Sequence, residues 1–373
     1  MEFPTHPIQE TGKRPTAALD RNLSYLSLVE VLYGYPIDGV ILTTGCDKTT
    51  PAALMAAATV NIPSIVLSGG PMLDGSYKGK KAGSGTIIWE ARKLHAKGEI
   101  DYDEFMDMAA ASAPSIGHCN TMGTASSMNS IAEALGMTLT RGANIPAPYK
   151  EIENISFETG KRIVEMVHED LTPSKIMTKE AFENAIYVAS AIGASSNCPP
   201  HLTAIARHMG IDLSIDSWEK LGHDIPLLVN CQPAGEYLME GFFKAGGIPA
   251  IMQELMKNNK LHKNVMTVTG KTMKENLKDI KFNSNQKVLR DYNNPLSPDG
   301  GVVGLKGNLA PDGAIVKIAG LKKLQFTGKA RCFDNEEDAM KAVQSKKYKD
   351  GDVIIITVSY THLRAHETEA DLV

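Results

Sequence analysis

A thiol, a carboxylate and an amine lie on consecutive residues early in the chain. Cys46, Asp47 and Lys48 belong to the segment Thr44-Gly-Cys-Asp-Lys-Thr-Thr-Pro51, which follows an apolar run and precedes a helical pattern. The N-terminus of a helix favours anions and lowers the pKa of a nearby thiol. The segment could therefore hold a metal ion or an anionic ligand. The alternative is a buried cysteine beside a surface Asp–Lys pair, and spacing alone favours that alternative.

A second cysteine has similar surroundings. Cys119 belongs to Gly117-His-Cys-Asn-Thr-Met-Gly-Thr-Ala-Ser-Ser127, where glycines flank the thiol and a helical pattern follows. Two such cysteines could converge on one soft-metal centre, which would need a further ligand from elsewhere. Two unrelated core cysteines fit the pattern equally well.

Other candidate residues carry weaker signals. The glycine-rich stretch Ser68–Gly75 could cradle an anion through backbone N–H groups. A nucleotide-binding P-loop at Gly270-Lys-Thr272 is excluded, because the upstream glycine of that motif is replaced by Val265. His201 and His208 are seven residues apart on one predicted helix, and without a metal-binding motif we expect structural roles for them. Cys231 and Cys332 are expected to be packing residues.

These candidates need elements to position them. Residues 38–44 and 64–67 read as buried strands around a helix at 50–59, which is the βαβ pattern of an α/β fold with a parallel sheet flanked by helices. A further strand is predicted at Val265–Val268, leading into a short helix. The other helices are predicted at 102–112, 123–136, 158–170, 179–193, 199–209, 234–258 and 336–345.

The residue composition of the chain changes near residue 285. Asn293–Gly301 is dense in turn formers, and short strands are predicted beyond it. We therefore predict an α/β domain over residues 1–285 and the start of a β-rich domain over 295–357.

Composition excludes several classes of protein. The 43 acidic and 39 basic residues give a formal charge of −4, which offers no overall attraction to nucleic acid or to an anionic membrane. No apolar run is long enough for a transmembrane helix, and the first residues lack the pattern of a secretory signal. The five cysteines are widely spaced and form no Cys-x-x-Cys pair. We therefore expect a reducing, cytoplasmic setting.

Five motifs of the chain are considered together. They are Thr44-Gly-Cys-Asp-Lys-Thr-Thr-Pro-Ala52, Ser68-Gly-Gly-Pro-Met72, Gly117-His-Cys-Asn-Thr-Met-Gly-Thr-Ala125, Ala181-Phe-Glu-Asn-Ala185 and Lys306-Gly-Asn-Leu-Ala310. Together these motifs resemble the IlvD/Edd dehydratase family, and the resemblance runs from about residue 10 to 356. The family includes dihydroxy-acid, phosphogluconate and pentonate dehydratases, and the two cysteine motifs are more similar to the sugar-acid branch.

The resemblance implies a hydro-lyase that removes water from a 2,3-dihydroxy sugar acid, such as xylonate or arabinonate, to give a 2-keto-3-deoxy acid. The family uses a 2Fe–2S cluster and Mg²⁺ for this reaction. It also implies a small-molecule substrate, a homodimer or homotetramer, and a C-terminal domain that resembles the aconitase swivel domain. The alternatives are a dihydroxy-acid dehydratase of branched-chain amino-acid synthesis and an inactive fragment without a complete site.

The same resemblance assigns roles to individual residues. Cys46 and Cys119 would be cluster ligands, and Asp47 and Glu10 would be magnesium ligands. Lys48 would be the lysine that the family carbamylates, which converts a cation into a metal-binding anion.

Three parts of the family pattern do not match this sequence. A third cluster cysteine, in a Pro-Cys-Asn motif, is expected upstream of the chain. A further magnesium glutamate and the serine proposed as catalytic base are expected after its end. Residues 358–373 resemble a non-native read-through tail, so we expect a fragment of an enzyme that is inactive by itself.

Overall fold

The computed structural model describes residues 17–321 and 323–356, and it has a mixed α/β architecture. The chain begins with helix α1 (Ala17–Gly34), strand β1 (Val40–Thr44), helix α2 (Thr49–Val60) and strand β2 (Ser64–Ser68). The two strands pair in parallel, with Val40 opposite Ser64 and Thr44 opposite Ser68. This confirms the predicted βαβ unit and places both strand ends, and the loops after them, at the same edge.

A small hairpin and two helices follow this unit. Strands β3 (Gly75–Tyr77) and β4 (Lys80–Ala82) pair in antiparallel fashion and pack with helices α3 (Thr86–Ala96) and α4 (Tyr102–Ala111). Their buried side chains form a separate small core of Ala82, Ile87, Ala91 and Met108. The helix at residues 86–96 was not predicted.

The centre of the molecule is helical. All eleven residues of α5 (Thr124–Ala134) are buried, which makes it the central helix of the main core. Helix α8 packs against it, α6 packs against both strands of the parallel pair, and α9 packs against α2. The remaining bounds here are α6 (Glu151–His168), α7 (Pro173–Ile176), α8 (Lys179–Ile192), α9 (Cys198–His208) and α10 (Ile215–Gly222).

Two predictions in the following segment are wrong. The single helix predicted over 234–258 is two helices, α11 (Met239–Lys244) and α12 (Gly247–Lys257), because Gly246 and Gly247 both adopt positive φ angles that end a helix. Residues 265–268 form no strand. They fold back on the residues after them, and Met273 N–H donates to Val265 O. Helix α13 (Met273–Leu277) then starts with a capping box between Thr272 and Glu275.

The last part of the described chain is richer in strands, as predicted. Strands β5 (Val302–Leu305) and β6 (Ala314–Lys317) form an antiparallel pair, and β5 packs against α8 and α10. Strands β7 (Ala330–Phe333) and β8 (Val353–Ile356) pair in parallel on either side of α14 (Glu336–Gln344) in the sequence. Within the described residues, no helix is long and apolar enough to cross a bilayer.

Candidate functional site

The turn between β1 and α2 carries the first predicted cysteine. Cys46 N–H donates to Thr49 Oγ1 at 3.1 Å, and the Thr49 hydroxyl lies 3.0 Å from Cys46 O. These contacts close the turn on itself and hold Cys46 directly ahead of the first turn of α2. The residue is partly exposed, unlike the two residues that follow it.

The charged residues beside Cys46 are buried. Asp47 is 0% exposed and Lys48 is 1% exposed, and Lys48 Nζ lies 3.1 Å from Asp47 Oδ2. The other carboxylate oxygen, Oδ1, lies 3.4 Å from Cys46 Sγ. The surface Asp–Lys pair offered as the alternative is therefore wrong. A buried ion pair is expensive to desolvate, so its position next to a thiol favours a functional role over a purely stabilising one.

The second predicted cysteine lies on a segment that pairs with the loop after β2. His118 N–H donates to Gly70 O at 3.0 Å, and Met72 N–H donates to His118 O at 2.8 Å. Both loops need glycine, because Gly70 and Gly117 have positive φ angles and a Cβ at either would lie within 3 Å of backbone atoms. Cys119 follows, and its carbonyl accepts from Ser126 of α5 at 3.2 Å.

Hydrogen bonds link the two cysteine segments. Gly69 N–H, in the loop after β2, donates to Thr44 O at 2.7 Å, and the same loop pairs with His118. Asn129 of α5 bridges more directly, because its amide lies 3.3 Å from Gly45 O and 3.4 Å from His118 Nε2. The structure thus places the residues preceding Cys46 and Cys119 around one asparagine. Because Ser68–Met72 lies between them, this glycine-rich segment belongs to the same site.

A second asparagine supports the segment from the other side. Asn120 is fully buried, its Nδ2 donates to Leu73 O at 2.7 Å, and its Oδ1 accepts from Ser84 N–H at 2.8 Å. Neither Asn120 nor Asn129 was predicted from the sequence as a site residue. The available signal was the position of Asn120 beside a candidate ligand, since buried amides next to loops commonly fix the loop conformation.

Two histidines near the site are held in the neutral form. Burial lowers the pKa of His118 to about 4, although a hydrogen bond to Cys119 O opposes this shift. Burial, with Arg21 and Lys48 adding positive charge, lowers the pKa of His201 well below its ordinary value. Arg21 Nη1 lies 3.1 Å from His201 Nδ1. The other histidine of the same helix, His208, has different partners, which are Thr59 and the Tyr25 ring.

The other cysteines have different surroundings. Burial raises the pKa of Cys198 to about 12 and also raises that of Cys231, so both thiols stay protonated near neutral pH. Cys332 lies on the exposed side of β7, so the expectation that it packs in a core is wrong. All five cysteines lie among the described residues, and none of them is joined in a disulfide.

The donor set fits part of a metal centre. The thiols of two partly exposed cysteines are soft ligands that suit an iron–sulfur cluster, and a carboxylate suits a hard cation such as Mg²⁺. Within residues 17–321 and 323–356, no group of three or more His, Cys, Asp or Glu side chains is arranged to hold a metal ion. Glu10 and residues 358–373 lie outside the described residues.

A cavity of about 620 Å³ lies elsewhere, beside α7 and α12. Its lining includes Lys175, His262 and Met266, and none of the predicted site residues that the structure describes contributes to it. The predicted site and this cavity are therefore separate features of the molecule.

Two family models match the chain. The model described as dihydroxy-acid/6-phosphogluconate dehydratase N-terminal matches residues 1–276, and the corresponding C-terminal model matches residues 287–360. Together they cover the segments that contain Cys46, Lys48 and Cys119 and the β-rich part of the chain.

Curated relatives carry related names. The chain is 58% identical over 317 residues to the D-xylonate dehydratase of Caulobacter vibrioides, covering 85% of this chain and 53% of that protein. It is 48% identical over 323 residues to the dihydroxy-acid dehydratase of Pelagibacter ubique, with coverages of 87% and 56%. It is 46% identical over 340 residues to the L-arabinonate dehydratase of Rhizobium leguminosarum bv. trifolii, with coverages of 91% and 58%. The chain thus spans about half the length of these relatives.

Proposed function

Because this chain belongs to the dihydroxy-acid/6-phosphogluconate dehydratase family, we propose that it forms part of a hydro-lyase acting on a 2,3-dihydroxy sugar acid. The substrate would be a pentonate such as xylonate or arabinonate, and the product a 2-keto-3-deoxy acid. The names of two relatives, at 58% and 46% identity, support this substrate class. The observation that carries the proposal is the joining of the Cys46–Lys48 turn to the Cys119 segment through Asn129.

The reaction has two chemical difficulties. The proton on C2 is weakly acidic, and hydroxide is a poor leaving group from C3. When bound, a 2Fe–2S cluster would supply a Lewis acid for the C3 hydroxyl, and Mg²⁺ would stabilise the negative charge that develops on the carboxylate and the C2 oxygen. Every other contribution must come from the protein.

Cys46 and Cys119 are proposed as two thiolate ligands of the cluster. Both are partly exposed and lie on loops fixed by backbone hydrogen bonds, whereas the buried Cys198 and Cys231 have raised pKa values. A thiolate is the form that binds a metal. The difference in solvation therefore supports the selection of Cys46 and Cys119.

Asp47 and Lys48 are proposed as magnesium ligands, with Lys48 carbamylated. A carbamate on Nζ would replace the cation that now faces Asp47 with an anion. Two buried anions side by side repel strongly in a medium of low dielectric constant, so a divalent cation would be needed between them. Glu10 is proposed as a further magnesium ligand by resemblance alone, because it lies outside the described residues.

The wider assignments remain proposals as well. We propose a dehydratase domain over residues 1–285 and the start of a swivel-like domain over 295–357, which the two family models support. The family resemblance supports a homodimer or homotetramer. Five cysteines without a disulfide support a reducing, cytoplasmic setting.

Dihydroxy-acid dehydratase activity is the second candidate. The relative from Pelagibacter ubique that carries this name is 48% identical, slightly more than the L-arabinonate dehydratase. A third candidate is a chain that is inactive by itself. The lack of a group of three metal-ligating side chains among the described residues supports it.

Chimeras of the relatives separate these candidates. Residues 17–277 of this chain would replace the matching segment of the Caulobacter D-xylonate dehydratase and, separately, of the Pelagibacter dihydroxy-acid dehydratase. Each protein would be assayed for 2-keto acid formation from D-xylonate, L-arabinonate and 2,3-dihydroxyisovalerate. We expect the Caulobacter host to keep its preference for pentonates and the Pelagibacter host to shift its preference toward them.

Variants make this experiment specific to the site. Cys46→Ser should lower turnover by about a thousandfold or more, as for loss of a group that is essential to the chemistry. Cys231→Ala is the matched control and should stay close to the unsubstituted chimera. A shift of the Caulobacter host toward dihydroxyisovalerate, with no change in the Pelagibacter host, would favour the second candidate. Active chimeras beside an inactive 373-residue chain would favour the third.

A further inference from the structure

Asn129 is a buried residue whose side chain lies between the two cysteine segments. It belongs to the central helix α5 and is 1% exposed. Its Nδ2 donates to Ala125 O, one turn earlier in the same helix, at 3.0 Å. This bond fixes the amide relative to the helix, so its remaining contacts transmit the position of the helix to the loops.

The first set of contacts holds both ends of the Cys46 turn. Asn129 Oδ1 accepts from Thr44 Oγ1 at 3.0 Å and from Thr50 Oγ1 at 3.3 Å. The amide nitrogen also lies 3.3 Å from Gly45 O. Because Thr44 precedes Cys46 and Thr50 follows it, the turn cannot move as a unit without breaking these bonds.

The second contact reaches the Cys119 segment through a histidine. His118 Nδ1 lies 3.0 Å from Cys119 O, and a carbonyl oxygen can only accept, so Nδ1 carries the proton. Asn129 Nδ2 lies 3.4 Å from Nε2, and because an amide nitrogen can only donate, Nε2 is the acceptor of this contact. The donated bonds run from Asn129 to His118 and from His118 to the carbonyl of Cys119.

An amide is the side chain that suits this position. Its oxygen accepts from two hydroxyls, and its two N–H groups face three acceptors, which are the carbonyls of Ala125 and Gly45 and the ring nitrogen of His118. An aspartate would lose both donors, and an aliphatic residue would leave the two threonine hydroxyls without this acceptor in a buried region.

We propose that Asn129 is a positioning residue that sets the separation between the sulfurs of Cys46 and Cys119. The inference rests on the proposed function, since it takes both thiols as ligands of one group. It predicts that substitution of Asn129 weakens binding that needs both thiols together and leaves the reactivity of each separate thiol unchanged.

Phenylarsine oxide tests this on the 373-residue chain, since trivalent arsenic binds two thiols at one centre. The background is Cys332→Ser, which removes the exposed thiol, while Cys198 and Cys231 are retained because they are buried. In this background we expect tight binding that is lost in Cys46→Ser and in Cys119→Ser. Asn129→Ala should weaken it by about tenfold or more, the effect of losing one or two hydrogen bonds. Labelling of Cys46 and Cys119 by a reagent that needs only one thiol should keep its rates.

Two further proteins control for general destabilisation. Asn184→Ala removes another fully buried asparagine, which bonds the backbone of His262 at 2.7 and 3.0 Å and contacts neither cysteine segment. It should leave arsenical binding unchanged. If Asn129→Ala does not fold, the Thr44→Val/Thr50→Val double variant removes the two hydroxyls that bond Oδ1 and should weaken binding in the same direction.

The outcomes distinguish the role of Asn129 from the pairing of the two thiols. If Asn129→Ala or the double threonine variant still binds the arsenical tightly, the proposed role of Asn129 is overturned. The pairing of the two thiols would still be supported. If the background protein binds the arsenical no more tightly than Cys46→Ser and Cys119→Ser do, the pairing of the two thiols is overturned. The role of Asn129 is then overturned as well. An equal loss in Asn184→Ala would also overturn the role, because the effect would then be general.

Discussion

Two loops of this molecule are anchored on the same helix, and each presents a cysteine at the start of another helix. The turn with Cys46 is tied to α5 through Asn129, and the loop with Cys198 is tied to it through Thr124 and Ser127. The two thiols nevertheless differ. Cys46 is partly exposed beside a buried carboxylate, whereas Cys198 is fully buried and its pKa is raised to about 12.

This difference shows that position at a helix N-terminus does not by itself lower the pKa of a thiol. The helix dipole favours a thiolate by an amount that falls off within one turn, and full burial outweighs it. Solvent access and a polar neighbour therefore distinguish the Cys46 turn from the Cys198 loop.

Thiol labelling should show the largest contrast. With N-ethylmaleimide at about pH 8, Cys198 should react about a thousandfold more slowly than an ordinary exposed cysteine, because its raised pKa leaves a far smaller thiolate fraction. Peptide mass spectrometry over time gives the rate at each cysteine. Denatured chain, in which all five cysteines should react at similar rates, is the control. Equal rates at Cys46 and Cys198 in the folded chain would remove the distinction.

The buried ion pair in the Cys46 turn should have the next largest effect. Lys48→Met removes the cation that faces the buried Asp47 carboxylate, so we expect a loss of about 3 kcal/mol or more in the free energy of unfolding. Urea denaturation in buffer free of carbon dioxide measures this value with Lys48 as an amine. Adding Asp47→Asn should recover most of the loss.

An exposed ion pair provides the matched control for this measurement. Lys161 pairs with Glu158, and both side chains are more than half exposed. Lys161→Met should therefore change the free energy of unfolding by less than about 0.5 kcal/mol. A similar change for both lysines would contradict the account of the buried pair.

Glu133 of α5 tests whether burial has the same effect on the pKa of a carboxylic acid as on that of the Cys198 thiol. Burial raises its pKa from 4.5 to about 7, although the N–H groups of Arg141 and Ala143 oppose the shift. Since the folded chain binds this proton more tightly than the unfolded chain, the resulting stability is present below about pH 4.5 and is lost as pH rises through 7.

Substitution by glutamine isolates this contribution. Relative to Glu133→Gln, the free energy of unfolding of the natural chain should fall by about 3 kcal/mol between pH 4.5 and pH 8. Parallel urea titrations across this range measure the difference. A constant difference across the range would show that Glu133 is not desolvated as the structure indicates.

Much of the local structure could be predicted from sequence. The βαβ unit around Cys46 and the helix after Cys119 were predicted because their apolar periodicity and turn residues agree with one another. The break at Gly246 and Gly247 was missed, because apolar residues continue on both sides of it. The fold-back after Val265 was missed because a short apolar run has the same pattern whether or not it joins a sheet.

The site was predicted less completely. The chemistry and spacing of four residues marked them as candidates, and the family resemblance supplied their roles. These residues are Cys46, Asp47, Lys48 and Cys119. Asn129 could not be found in this way, because its importance depends on contacts with residues about 80 positions away and on its neighbour His118. Such long-range hydrogen bonds leave no local pattern in a sequence.

Iron and sulfide content tests the central claim most directly. The chimera in the Caulobacter host would be reconstituted without oxygen and analysed for iron and acid-labile sulfide, together with its Cys46→Ser, Cys119→Ser and Cys198→Ala variants. We predict one 2Fe–2S cluster per chain in the unsubstituted chimera and in Cys198→Ala, and a loss of about tenfold or more in each of the other two variants. Full iron and sulfide in Cys46→Ser or Cys119→Ser would contradict the account, since the two thiols would then not hold a common cluster.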